Sequence, residues 1–319
     1  MNIKISHPFC YSAIGKKPNQ EDALYPMKGK ATPDTRIFLV CDGMGGHERG
    51  EVASQCVASH MGRIVSQQPL LSVEEMKTVF NDALMTTYEE LDALDDSDAV
   101  KKMGTTLTFL SICSDGVLLA HIGDSRIYQL RPGKGVVMHT RDHSLVNDLI
   151  AAGELTEEEA RTFPQRNVIT RAIQPHQEYR TRASFNVLTD IRTGDVFMLC
   201  SDGVLEQITD QMLCDILLTS EPLAQRIHHL EDECLEHFTH DNNTCYLFEV
   251  EEVEGVSPLA PDTDSVTLSI APQDNTPVAS SADASSSSSQ KAFKILLWVL
   301  AFIAFCGVLV GIYFYGASR

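Results

Sequence analysis

Two apolar runs, Thr105 to Cys113 and Val117 to Ile122, are separated only by Ser114-Asp115-Gly116. A parallel pair of strands needs a crossover of about a dozen residues, so a three-residue gap containing Asp-Gly imposes a hairpin. Further strand-like runs cover Arg36 to Cys41, Arg126 to Leu130, Val196 to Cys200 and Thr244 to Val250. Several adjacent runs lie too close for helical crossovers. The expected class is therefore α+β, with largely antiparallel sheets and helices packed outside them.

Two helices are legible from caps and stripes. Ser72 with Glu75 makes a capping box, followed at helical spacing by Met76, Val79, Phe80, Ala83, Leu84, Tyr88 and Leu91. After Glu221-Pro222 a second stripe runs through Leu223, Ile227, Leu230, Cys234 and Phe238. Both stripes read as core faces.

Composition divides the chain into a periodic domain, 1–251, an acidic and Ser-rich linker, 252–290, and an apolar tail, 291–319. Ile295 to Tyr315 carries no charge. At about 1.5 Å per residue, roughly 21 residues cross a hydrocarbon core of about 30 Å. Trp298, Tyr313 and Tyr315 stand near its ends, and no polar face interrupts it, which predicts one transmembrane helix. Lys291 and Lys294 precede the span, Arg319 follows it, and Met1 to Tyr11 lacks the apolar stretch of a secretory signal. These features place the large domain in the cytoplasm, on the inner or plasma membrane. The linker, with Ser285 to Ser289, is too polar to offset chain entropy and reads as a flexible tether with an end-to-end distance of roughly 30–35 Å.

The formal net charge of −19 argues against nucleic acid, whose phosphates require clustered Lys and Arg. The nine cysteines are odd in number, lack a CxxC pair and sit mostly in apolar runs, so buried reduced thiols are expected.

Carboxylates follow the apolar runs closely. Phe38 to Cys41 leads to Asp42-Gly43, Leu119 to Gly123 leads to Asp124, and Phe197 to Ser201 leads to Asp202-Gly203. Glu21-Asp22 and Asp241, just before the last strand, complete the set. A single carboxylate beside a turn ordinarily caps a backbone group. Several gathered on one half-buried rim would repel each other unless a cation neutralised them. Oxygen ligands without a Cys or His pair at ligand spacing favour Mg²⁺ or Mn²⁺ over zinc. The glycines of Asp42-Gly43-Met44-Gly45-Gly46 let backbone approach an ion, so the Gly43 carbonyl is a further candidate ligand. This loop lacks the GxxxxGK[ST] spacing of a nucleotide-binding loop. His121 and His143 read as local packing or polar residues.

In order, Asn19-Gln20-Glu21-Asp22, Asp42-Gly43-Met44-Gly45-Gly46-His47, Gly104-Thr105-Thr106, Gly123-Asp124-Ser125-Arg126, Ser201-Asp202-Gly203 and Asp241-Asn242 resemble the motifs of the type 2C metal-dependent protein phosphatases, especially their bacterial-style branch. The resemblance spans roughly residues 1–250. It implies a four-layer αββα sandwich of two antiparallel sheets, with two metals at one end. By the same resemblance Asp42 bridges both metals, Asp202 and Asp241 complete one shell, and Glu21 and the Gly43 carbonyl complete the other. Asp22 orders metal-bound water, and Asp124 with Asp202 matches a weaker third-metal site. The implied activity is hydrolysis of phosphoserine or phosphothreonine on proteins, countering a Ser/Thr kinase, by a water that loses its proton between two cations.

Two positions depart from the family pattern. Lys17 stands where relatives often place a phosphate-binding Arg, and it lacks the bidentate guanidinium fork. Met44 follows Asp-Gly where some relatives carry a His assigned as general acid; His47 is a weaker candidate for that role. Arg141 to Ile173 resembles the segment leading into and through the family's flap beside the active site. The competing functions are a membrane-tethered pseudophosphatase, disfavoured by the intact Asp42, Asp202 and Asp241, and a small-molecule phosphomonoesterase.

Overall fold

Both faces of the strand Ile37–Met44 are occupied by core, and that fixes the layering. Ile37, Leu39 and Cys41 point one way, against Val57 and Met61 of one helix and Phe80 and Leu84 of another. Phe38 and Val40 point the other way, among Phe197, Leu199, Tyr246 and Phe248 of a second sheet. The Phe38 ring stacks on Phe248 with centroids 4.7 Å apart. The far face of that second sheet, through Met198, Cys200, Cys245 and Leu247, packs on Leu213, Leu217, Ile227 and Leu230. Period-two alternation on strands buried from both sides thus builds helices, sheet, sheet and helices in succession. Each fully buried Phe or Leu contributes about 1.5–3 kcal/mol.

The computed structural model describes residues 1–45, 49–95, 103–237 and 239–254. Gly46, His47, Phe238, the linker from 255 onward and the expected membrane span lie outside them. Among the described residues no helix is long and apolar enough to cross a membrane. The strands are β1 (Asn2–Ile5), β2 (Phe9–Ala13), β3 (Asp22–Tyr25), β4 (Ile37–Met44), β5 (Gly104–Thr105), β6 (Leu107–Ile112), β7 (Val117–Ile122), β8 (Arg126–Arg131), β9 (Gly135–His139), β10 (Ser184–Leu188), β11 (Val196–Cys200) and β12 (Asn243–Glu254). The helices are α1 (Gly50–Ser66), α2 (Val73–Leu94), α3 (Leu145–Ala151), α4 (Glu157–Thr162), α5 (Asp202–Leu205), α6 (Asp210–Leu217) and α7 (Leu223–Glu236).

One sheet runs β1-β12-β11-β8-β9 with β2 also on β12; the other runs β10-β7-β6-β4-β3 with β5 on β4. The pairings are antiparallel, and for β6–β7 and β8–β9 the short connections require it. The hairpin at Ser114-Asp115-Gly116 joins β6 to β7, and Ser72 caps α2 with the capping box formed in both directions. The described cysteines are free thiols, most of them buried.

Three boundaries differ from those the sequence suggests. β4 does not stop at Cys41 but runs through Asp42 to Met44, because β5 pairs with Gly43 and Met44 and extends its ladder. The run 105–113 is broken at Thr106, whose hydroxyl turns to accept from the Asp42 backbone N–H. β12 reaches Glu254 because β1 pairs along its end, Asn2 opposite Glu254.

Candidate metal centre

Strand register brings the carboxylates to one pole. Asp22 lies directly opposite Asp42 on the β3–β4 ladder, and Cys200 opposite Cys245 on β11–β12. The residues that follow β7 and β11, and those that precede β3 and β12, therefore emerge at the same end. The two sheets are tied there by side chains. Ser201 Oγ donates to Asp22 Oδ2 at 2.7 Å, and the Glu21 backbone N–H donates to Asn242 Oδ1 at 2.7 Å.

Each acidic residue has its own local support. Asp42 is held by its backbone: its N–H donates to Thr106 Oγ1, and its carbonyl accepts from the Thr106 N–H and from Thr105 Oγ1, each at 2.9 Å. Glu21 lies against Gly43 and the start of α1. A Cβ at Gly43 would come within 2.4 Å of the Glu21 carbonyl oxygen and 2.3 Å of the Gly50 carbonyl oxygen, so a side chain there would push the loop apart. Asp202 opens α5, just after Ser201. Asp124 follows Gly123, whose φ of +102° only glycine adopts readily. Asp241 accepts from the Asn242 N–H at 2.8 Å and forms an ion pair with Lys17 at 2.7 Å.

The donor set fits hard cations. Asp22 Oδ1, Asp124 Oδ1 and Asp202 Oδ1 are buried with no hydrogen-bond partner. A buried carboxylate oxygen left unpaired is costly, and three of them at one pole form a set that divalent cations would satisfy. Burial, followed by the neighbouring charges of Asp202 and Asp241, pushes the Asp22 carboxyl up to about 7. Burial, then Asp202 and Asp142, also brings Asp124 to about 7. Asp42 is driven well above the carboxylate range by burial first, then by Asp22 and Asp202. Among the described residues no three His, Cys, Asp or Glu side chains already surround a single point. The carboxylates line a rim, with Lys17 holding one and Ser201 another.

The residues expected at the site, Lys17, Glu21, Asp22, Asp42, Gly43, Asp124, Asp202 and Asp241, thus share one pole. Their supporting groups, Thr106, Ser201 and Asn242, were not singled out by the sequence, although each stands inside or beside a quoted motif. His121 and His143 are packing partners, as expected, stacked with centroids 4.5 Å apart.

A two-sheet sandwich with an acidic rim of this order defines a metal-dependent phosphatase fold. The protein phosphatase 2C family matches residues 11–237, and the chain belongs to that family. Among curated relatives, protein phosphatase PhpP of Streptococcus pneumoniae is 34% identical over 211 residues, covering 66% of this chain and 83% of PhpP. The serine/threonine protein phosphatase PstP of Mycobacterium tuberculosis is 32% identical over 238 residues, 73% of this chain and 43% of that longer protein. Among solved structures, the S. agalactiae serine/threonine phosphatase superposes with a TM-score of 0.67 at 30% identity, over 76% of this chain and 99% of that one. The PstP catalytic domain in complex with two manganese ions gives a TM-score of 0.62 at 29% identity, over 79% of this chain and 100% of that one.

Proposed function

We propose that this chain is a serine/threonine protein phosphatase that uses two Mn²⁺ or Mg²⁺ ions, with a weaker third, to hydrolyse phosphoserine and phosphothreonine on proteins. The observation that carries the proposal is the buried, unpartnered oxygens of Asp22, Asp124 and Asp202 at one pole. Asp42, Asp202, Asp241, Glu21 and the Gly43 carbonyl are the residues suited to hold the pair, and Asp124 with Asp202 the third. Bound divalent cations supply Lewis acidity and make water nucleophilic near neutral pH. Asp22, fixed through Oδ2 by Ser201, presents Oδ1 as an acceptor that orients the attacking water. Lys17 supplies a cation at the rim for the substrate's phosphoryl oxygens, as a point charge without a guanidinium's fork. With no covalent intermediate required, the protein's contribution is positioning and charge compensation.

We further propose that residues 291–319 anchor the protein in the membrane by one helix, with the phosphatase domain in the cytoplasm and 255–290 as its tether, since residues 252–254, expected in the linker, are the end of β12 on β1. The uncharged run Ile295 to Tyr315 supports this. A phosphorylated protein that a Ser/Thr kinase has modified is the expected substrate.

The test of the activity is release of phosphate from a phosphothreonine peptide by the full-length chain with Mn²⁺, with Mg²⁺ or with EDTA, beside Asp202→Asn. Metal-dependent turnover is expected, abolished by EDTA and lowered at least 100-fold in the variant. A folded protein that binds Mn²⁺ yet turns over neither this peptide nor small phosphate esters would be a binding protein rather than an enzyme. Turnover of the small esters alone would assign it to small-molecule substrates.

A further inference from the structure

Lys17 sits on the rim with Nζ 2.7 Å from Asp241 Oδ1, and both side chains are close to two-fifths exposed, 41% and 40%. The backbones that carry them are clamped together. Lys16 N–H donates to the His240 carbonyl at 3.1 Å, and Asn242 Nδ2 donates to the carbonyls of Ile14 and Asn19 at 2.8 and 2.9 Å. The ion pair is therefore prescribed by the fold, while the ammonium itself hangs on a flexible four-carbon stem.

Its field extends beyond Asp241. Burial alone would lower the Lys17 pKa, but the bond to Asp241 and the charges of Asp241, Glu21 and Asp42 outweigh it, and the group is held above its ordinary value. Lys17 in turn opposes the upward shifts of Glu21 and Asp202. One ammonium thus serves as counter-charge to four carboxylates, all assigned above to metal. A divalent cation on Asp241 and an ammonium 2.7 Å from the same carboxylate repel each other strongly. The ammonium is the one able to leave, since an exposed ion pair is worth only a few-fold in an equilibrium.

We propose that Lys17 and a divalent cation exchange on the Asp241 carboxylate, so that metal loading expels the Lys17 ammonium from Asp241 and frees it to meet the substrate's phosphate. The inference rests on the metal reading proposed above. In this role Lys17 restrains metal affinity, and its release makes the phosphate-binding cation available only when the metals are in place.

Calorimetric Mn²⁺ titration of the full-length chain at fixed pH and salt tests the exchange, using wild type, Lys17→Met, Lys17→Gln, Asp241→Asn and the double variant Lys17→Met/Asp241→Asn. Both neutral Lys17 variants are expected to bind Mn²⁺ about two- to tenfold more tightly than wild type. Lys17→Met should gain clearly less in the Asp241→Asn background, where only the longer-range repulsion near Glu21, Asp42 and Asp202 remains to be relieved. Unchanged or weaker Mn²⁺ binding by both Lys17 variants overturns the exchange, as does an equal gain with Asp241 already removed. A wild-type chain that binds no Mn²⁺ overturns the metal reading itself, and the exchange with it.

Discussion

Ser201 shows how a residue outside the candidate ligand set can decide the site. Its hydroxyl donates to Asp22 Oδ2 and accepts from the Thr244 N–H at 3.0 Å, joining β3 of one sheet to β12 of the other. Although Ser201 occupies the N-cap position of α5, its side chain caps no backbone N–H there. Ser201→Ala therefore leaves helix capping untouched and removes the Ser201 hydrogen bond to the second Asp22 oxygen. The first is already unpaired. Losing a group that orients a metal-site carboxylate typically costs 10–100-fold in metal affinity or activity. We expect a loss of that size in phosphopeptide turnover, with Ser201→Thr recovering most of it. Steady-state kinetics and Mn²⁺ titration of both variants check this; full activity in Ser201→Ala would remove Ser201 from the positioning of Asp22.

At the scale of elements, the segment from Arg141 to Ile173 is anchored to the rim through His143. Its N–H donates to the Gly123 carbonyl at 2.9 Å, and Gly123 N–H donates to His143 Nδ1 at 3.1 Å, so Nδ1 must stay unprotonated. Burial, then the stacked His121, then the charge of Arg171 push the His143 pKa down to about 3. In the unfolded chain the ring takes up its proton near 6.5. Between about 6.5 and 3 the unfolded state thus binds the extra proton, and this contribution to stability, complete above about 6.5, is lost as pH falls at roughly 1.4 kcal/mol per unit. His121, also lowered chiefly by burial, acts in the same direction. Urea unfolding of wild type and His143→Gln at pH 7.5, 6.5 and 5.5 should show a shallower acid slope in the variant; parallel slopes would contradict the assignment. The sequence foretold the residue type here, a packing histidine, but not its partner, because the stack depends on the 20-residue return from β7 that no local pattern encodes. The same limit applies elsewhere. α2 was legible because Ser72, Glu75 and large apolar residues mark it, whereas α1 went unread. Its N-cap Arg49 makes no side-chain cap bond, and its buried stripe includes Ala53, Ser54, Ala58 and Gly62. The acidic rim was legible because Asp42, Asp124, Asp202 and Asp241 each adjoin a readable strand and Glu21 and Asp22 lie in the Asn19-Gln20-Glu21-Asp22 motif; β1, β2, β3, β9 and β10 are too short or too partly buried for period-two alternation to stand out.

For the whole molecule, the direction of β12 governs how a tether would act. The strand starts at Asn243, next to the rim, and ends at Glu254 beside Asn2. Twelve residues at about 3.3 Å each carry the chain roughly 35–40 Å, so it leaves the phosphatase domain at the pole opposite the metal centre. A polar tether of roughly 36 residues has an end-to-end distance of about the same size, enough to give the domain a broad but bounded search volume. Confinement of this kind raises the effective concentration of substrates on the same membrane to about the millimolar range without adding any contact. If residues 291–319 are the anchor, ending the chain after Glu254 should move the protein from the membrane fraction to the soluble one. Turnover of a soluble phosphothreonine peptide should then stay within about twofold, because every rim residue precedes the cut, while turnover of the same peptide anchored in a vesicle that carries the full-length chain should exceed that by the truncated one at least tenfold. Fractionation followed by the two assays measures this ratio. A truncated chain that still pellets with membranes would locate the membrane contact in the phosphatase domain, and equal rates on anchored and soluble peptide would show that tethering places the enzyme without concentrating its substrates.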